Sequence, residues 1–258
     1  MNTIDLSVSN LAATRGRHYD IAILPWGATE PHNLHLPYLT DSILSHDIAV
    51  DAAAIARDTY GIPAMVLPPV TMGSQNPGQR DQPFCIHARY NTQRAILTDI
   101  VDSLANQGLR RLLIVNGHGG NNFRNMIRDL AVDRLDFLIA TCEWFKTASP
   151  KPYFDIIGDH ADELETSVMM HYHPELVDIT QAGPGEAPGF RAPALRNGIV
   201  WTPRNWTLAA GADTGVGDPR AATPEKGRLF AADCATAIAA AIADLCDPAG
   251  PYFPASEK

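Results

Sequence analysis

Glu30, His32, His35 and Asp41 lie in one short stretch, DIAILPWGATEPHNLHLPYLTDS, from Asp20 to Ser42. Side chains two residues apart in extended backbone point the same way, so Glu30 and His32 can offer a carboxylate and an imidazole to one volume. Asp41 can come back to that volume after an irregular, Pro-containing loop. Oxygen and nitrogen donors of this kind suit a borderline divalent ion such as Zn, Mn or Fe, and do not suit a soft thiolate site. A second candidate is NGHGGN, which sets His118 in a glycine-rich turn. Gly117, Gly119 and Gly120 let the backbone approach a ligand closely, and successive amides there could hold an anionic oxygen. On spacing alone His118 reads equally well as a turn histidine hydrogen-bonded for the sake of the fold. The third is HADELETSVMMHYHPELV, where His160 and Glu163 stand one helical turn apart and could face one point. By pattern alone its acidic run reads as a solvated helix face. No serine nucleophile elbow, phosphate loop or dinucleotide fingerprint occurs. Cys85, Cys142, Cys234 and Cys246 are widely separated, form no CxxC and read as buried free thiols.

These residues need elements to carry them. Ile21 to Leu24 reads as a short strand ahead of the first cluster, and Asp41 or Ser42 can cap a helix running to about Tyr60, stopped by Gly61 and Pro63. Ala64 to Val70 reads as a second strand, weakened by Pro68 and Pro69. Residues 71–91 are too rich in Gly, Pro, Asn and Gln to be core, and so long a loop usually covers a site. A helix is expected from about Thr92 to Gln107, then a buried strand, Leu112 to Asn116, leading straight into the His118 turn. A helix carrying Phe123, Ile127 and Leu130 follows, and then a strand, Asp136 to Cys142. Alternation of this kind predicts an α/β fold: one three-layer αβα domain over residues 1–258, with a mostly parallel or mixed central sheet. His118 and the first cluster then share the carboxyl rim of that sheet, where open α/β folds bind ligands. His160 to Val177 reads as a helix ended by Pro174. Residues 181–218 read as long loops with room for a hairpin, Pro224 to Leu245 as an alanine-rich helix, and 247–258 as a loose tail.

With 258 residues, 45% of them hydrophobic and 19% charged, the chain has the composition of an ordinary globular protein. A formal charge of −9 leaves no basic field for nucleic acid. The N-terminus shows no secretory pattern and no uninterrupted apolar stretch reaches membrane-spanning length, so a cytoplasmic protein without membrane contact is the expectation.

The three clusters together resemble the creatininase family of metal-dependent amidohydrolases. The family pattern G-S-x-E-Q-H-G-x-H-L-P-L-x-T-D is matched at Gly27, Glu30, His32, His35, Leu36, Pro37, Thr40 and Asp41. NGHGGN, Asn116 to Asn121, matches the second motif in full. HADELETS resembles the third, H-A-G-x-x-E-T-S, departing from it at Asp162, and GDPRAATPEKG extends the likeness toward the C-terminus.

The resemblance implies two divalent ions, Zn foremost with Mn or Fe as alternatives, bridged by Asp41. One would also be held by Glu30 and His118, the other by His32. The remaining carboxylate of the family pattern falls where this chain has Gly120, and Glu163 is the expected replacement, with Glu165 as fallback or supporting acceptor. His160 matches the family's acid–base residue, and Glu163 is placed beside it in the catalytic set. Asn116, Gly119, Gly120, His35 and Trp144 are candidates for supporting or substrate contacts, and Trp144, Trp201 and Trp206 could stack on a flat ring. The expected reaction is hydrolysis of a C–N bond in a small cyclic amide (creatinine, lactam or hydantoin type) or a formamide, by water made acidic at the metals. The chain is expected to act on a small molecule as a homo-oligomer, a hexamer by resemblance. A metal-dependent phosphoesterase and a non-catalytic binding protein on the same scaffold are the alternatives.

Overall fold

Four strands, Ile21–Trp26 (β1), Ala64–Val66 (β2), Arg111–Asn116 (β3) and Leu138–Glu143 (β4), form the sheet of the computed structural model, which describes residues 4–251. Their order is β2-β1-β3-β4, and every pairing is parallel. The mixed sheet allowed by the sequence is therefore not formed among the described residues. Each connection instead carries a helix long enough to return the chain to the same edge: Thr40–Tyr60 (α1), Tyr90–Asn106 (α2) and Arg124–Asp133 (α3).

Alternate residues of the central strands feed two separate cores. Ile21 and Ile23 of β1, with Leu113 and Val115 of β3, pack on α1 and on two later helices, Glu163–Tyr172 (α4) and Pro224–Cys246 (α5). Ala22, Leu24 and Trp26, with Leu112 and Ile114, pack on α2 and α3 through Leu97, Val101, Met126 and Leu130. This period-2 split, burying both faces of the strands, produces the three-layer αβα arrangement. By length and composition alone α5 could cross a membrane. Here Phe230, Cys234, Ala235, Ile238 and Ile242 are buried in the first core, where the small alanines let α5 lie close to α1 and α4.

Several boundaries differ from the sequence reading for definable reasons. β2 stops at Val66 ahead of Pro68 and Pro69, and Val70 keeps only an isolated bridge to Trp26. α1 begins at Thr40 without a side-chain cap, so Asp41 is inside the helix rather than capping it. α4 begins at Glu163 and not at His160. Ala161 takes the left-handed conformation (φ +49), and Asp162 caps the helix by accepting from the Leu164 and Glu165 amides at 3.0 and 3.1 Å. Residues 181–218 form no hairpin; they hold two helical turns, Pro193–Arg196 and Trp206–Ala209, and an isolated bridge from Val216 to His160. Of the expected tail, residues 252–258 lie outside the described residues.

The order β2-β1-β3 matters for function. The chain leaves β1 for one neighbour and later enters β3 on the other side, so a crevice opens beyond the carboxyl ends of β1 and β3.

Candidate metal centre

Three acids and three imidazoles meet in that crevice. Glu30 and His32 follow β1, Asp41 comes from the first turn of α1, His118 from the turn after β3, His160 from the segment just before α4, and Glu165 from the first turn of α4. Their potential ligand atoms fall into three overlapping groups, each within 4.8 Å: Glu30, Asp41 and His118; His32, Asp41 and Glu165; Glu30, His32 and His160. Asp41 belongs to the first two, and its oxygens divide between them. Oδ1 stands 3.0 Å from His32 Nε2, and Oδ2 stands 3.2 Å from His118 Nδ1. His118 Nδ1 is also 2.8 Å from Glu30 Oε1. Glu30, His32 and Asp41 are at most 2% exposed.

All three rings are oriented in the same way. His118 Nε2 donates to the Ser74 carbonyl (2.8 Å), His32 Nδ1 to the Glu30 carbonyl (3.1 Å) and His160 Nε2 to the Pro31 carbonyl (2.8 Å). A backbone carbonyl accepts only from a protonated nitrogen, so the other nitrogen of each neutral ring is the one with a free lone pair. In each case that nitrogen faces the carboxylates, the most distant being His160 Nδ1, 3.9 Å from Glu30 Oε1. Asp41 Oδ2 is buried and accepts no aligned hydrogen bond. Clustered anionic oxygens, oriented imidazole lone pairs and an orphaned buried acceptor fit divalent cations, and the lack of sulfur fits Zn, Mn or Fe.

The electrostatics agree. Burial alone would strip the proton from His32, but Asp41, with help from Glu165 and Glu30, pushes it up to about 10. His118 is likewise raised by Glu30 and Asp41 against the effect of burial. Burial opposes ionisation of Asp41, yet His32 and His118 hold it well below the usual carboxylate range. Burial, reinforced by Asp41 and Asp162 and opposed by His32, pushes Glu165 up to about 8. The cluster is thus a trap for positive charge that protons fill when nothing stronger competes. His160 differs: burial and the neighbouring His32 charge lower it, which keeps its ring neutral.

A pH dependence follows. His32 is ordinarily half-protonated at 6.5 but here at about 10, and Glu165 is raised from 4.5 to about 8, so above about pH 4.5 the folded chain binds more protons than the unfolded chain. Stripped by a chelator, the protein is expected to lose stability as pH rises from about 4.5 to 10, through Glu165 from 4.5 to about 8 and His32 from 6.5 to about 10, most steeply where the two windows overlap, by roughly 1 kcal/mol per pH unit for each group in its window. Melting curves should show that fall, and divalent ions, which displace the same protons, should suppress it.

The glycine turn is shaped to bring β3 against α1. A Cβ on Gly117 would stand 2.2 Å from the Asp41 carbonyl oxygen, and one on Gly120 would stand 2.2 Å from the Ser74 carbonyl oxygen and 2.5 Å from His118 Nε2. No side chain fits at Gly120, so the family's carboxylate there has no room, and Glu165 supplies an acid from the opposite wall. Asn116 braces the turn: its Nδ2 donates to the His118 carbonyl and its Oδ1 accepts from the His118 amide. Gly119 has open space around it on the cleft wall.

Other expected residues are placed differently. Glu163 is fully buried on the far side of α4, where its carboxylate accepts from Lys226 Nζ and from the Asp155 and Ile156 amides at 3.0 and 2.8 Å. It joins none of the three ligand groups. Because α4 starts after His160, the one-turn spacing that suggested a shared face does not apply. Trp144 is 1% exposed, packs on Phe145 and Phe230 in the first core, and is not among the residues lining the cleft. His35 lies behind the cluster with Nε2 2.8 Å from Thr166 Oγ1, and burial with the His32 charge lowers it to about 4. Trp206 packs edge-on to the His160 ring at 5.4 Å, while Trp201 is exposed on the cleft wall. Sequence reasoning missed Gln79, whose amide donates to Glu30 Oε2, and the Ser74 carbonyl, since neither has a spacing that marks it. Their only signal was their place in the long 71–91 loop.

The acids form the floor of a cleft of about 1300 Å³, with walls from residues 145–150 and 198–206. The family model for creatinine amidohydrolase matches residues 5–242. A mycofactocin precursor peptide peptidase from Mycobacterium ulcerans is 34% identical over 232 residues, 84% of either chain. A creatinine amidohydrolase from Pseudomonas putida is 26% identical, with 88% of this chain and 90% of that one aligned. The crystal structure of a candidate creatinine amidohydrolase from Bacteroides fragilis superimposes with a TM-score of 0.93 at 55% identity, covering 96% of this chain and 98% of the other. With the same fold, a full-length family match and clustered His, Glu and Asp ligands at the sheet's crevice, the chain is a metal-dependent hydrolase belonging to the creatininase family.

Proposed function

We propose that the protein hydrolyses a C–N amide bond of a small cyclic amide or formamide. The observation that carries the reading is the sharing of Asp41 between two ligand groups, one oxygen toward His118 and the other toward His32. Glu30, Asp41 and His118 would hold one divalent ion, and His32, Asp41 and Glu165 the second. Such ions supply Lewis acidity toward a carbonyl oxygen and an acidic bound water. The chain's own residues do the rest. Glu30 is fixed by Gln79, and His32 and His118 by their carbonyl acceptors, so the charged floor need not reorganise during reaction. His160, neutral and pinned by its bridge to Val216 and by Trp206, can take a proton on Nδ1 and return it to the departing nitrogen.

His160→Ala is expected to retain two equivalents of metal while turnover falls by roughly 10²–10⁴-fold. Elemental analysis beside rates on a panel of creatinine, lactams, hydantoins and N-formyl compounds tests both halves. Loss of metal would move His160 into the ligand set, and metal-loaded protein inert on every amide would remove the hydrolytic assignment.

A second substrate reading rests on the size of the cleft. About 1300 Å³ is far more than a single small ring fills, and the M. ulcerans relative is named for a peptide precursor. Short peptides therefore belong in the same panel.

A further inference from the structure

The acidic cleft has two cationic side chains on its walls, Lys146 and Arg204. Lys146 Nζ is 2.8 Å from Glu143 Oε2, so its charge is already met. Arg204 is in a different position. Its guanidinium lies over the Phe190 ring, 5.5 Å from the centroid, and the carboxylate it approaches is Asp159 at 4.0 Å, beyond hydrogen-bond reach. Asp159 is itself 70% exposed and can turn to water. Among the described residues, Arg204 donates no hydrogen bond to any acceptor.

Its location ties this cation to the reacting centre. Asp159 immediately precedes His160, and Trp206, two residues beyond Arg204, packs against the His160 ring. Trp206 is anchored in turn, its Nε1 donating to the Thr214 carbonyl and its amide to the Pro77 carbonyl at 3.1 and 2.7 Å. A guanidinium over an aromatic face keeps its N–H groups available, and its planar fork can take a carboxylate through two parallel hydrogen bonds. Asp159 and Asp162, which also line the cleft, offer an anion no hydrogen-bond donor, so Arg204 and Lys146 are the cationic side chains left to receive one there.

We propose that Arg204 is a specificity-determining residue that receives a carboxylate on the substrate and so holds the scissile amide over the acids beside His160. The inference rests on the hydrolase reading above and narrows it: the preferred substrates are amides bearing a carboxylate on a short arm, whether ring acids or chain-terminal peptides.

The test is a calorimetric titration of metal-loaded protein with succinic monohydroxamate, which pairs a metal-binding group with a carboxylate, and with its neutral methyl ester. The wild type is expected to bind the acid roughly 10- to 100-fold more tightly than the ester. Arg204→Gln should erase that preference and leave the ester's affinity unchanged, a readout a merely structural role would not produce. Arg204→Lys should restore only part of it. Asp159→Asn, which removes the competing acid, should tighten binding of the acid alone. Equal affinities in the wild type, or a preference that survives Arg204→Gln, overturn the proposal. Failure of both hydroxamates to bind protein shown to carry its ions overturns the inference, while inertness of that protein on the amide panel removes the amide reading on which it rests.

Discussion

Asp41→Asn is expected to leave the protein folded and without either metal ion, with turnover reduced by at least about 10³-fold, since water activation at the metals is lost with them. The substitution preserves shape and changes two things. It removes the one negative charge shared by both ligand groups, and it replaces an oxygen facing an imidazole nitrogen by an N–H donor. Either half of the cluster then has one anion fewer, and an amide nitrogen cannot serve as a ligand. The fold should survive because Asp41 caps no helix and bonds no backbone amide; it lies within the first turn of α1, whose core contacts come from Leu44, Ile48 and Ala52. Elemental analysis and circular dichroism on the same sample separate the outcomes. Full metal content in this variant would mean that the ions, if two, do not share a carboxylate. One retained equivalent would mean that Asp41 serves a single ion.

What the sequence disclosed of this site, and what it did not, follows from how each residue reaches the cluster. Glu30, His32 and Asp41 were legible because they occupy one contiguous segment after a clear apolar strand, and His118 because a glycine turn directly follows the most apolar strand. The layered fold was legible from strand and helix alternation, though not that every pairing among the described residues is parallel, which depends on crossover geometry rather than composition. Glu165 and Glu163 could not be separated by pattern. One residue of left-handed backbone at Ala161 and a cap at Asp162 set which of two nearby acids faces the crevice, and neither leaves a mark in hydrophobic periodicity. Trp144 lies in the first core, and a tryptophan at a strand end reads the same in sequence whether it faces a cleft or that core. Ser74 acts through its carbonyl oxygen, a group every residue has.

The two acids of α4 should therefore behave oppositely on loss of charge. Glu165→Gln is expected to bind one ion instead of two and to lose about 10²-fold or more in turnover, with thermal stability held. Its Oε2 accepts from the Ala161 amide at 2.5 Å, a bond a carboxamide oxygen keeps, and burial already pushes this acid up to about 8, so the metal-free fold does not rely on its charge. Glu163→Gln is expected to keep both ions and to cost about 2–4 kcal/mol of stability. Glu163 is fully buried, and its carboxylate ties the 155–156 segment to Lys226 in the first turn of α5; removing the charge leaves that ammonium facing a neutral amide, with exposed Asp155 as its remaining anion among the described residues. Lys226 reaches solvent in part, which sets the cost below that of a fully enclosed orphan charge. Metal stoichiometry and melting temperature measured on both variants give a crossed pattern, metal lost in one and stability lost in the other. The reverse pattern would place Glu163 in the ligand set and require α4 to begin a turn earlier, with His160 and Glu163 on a common face.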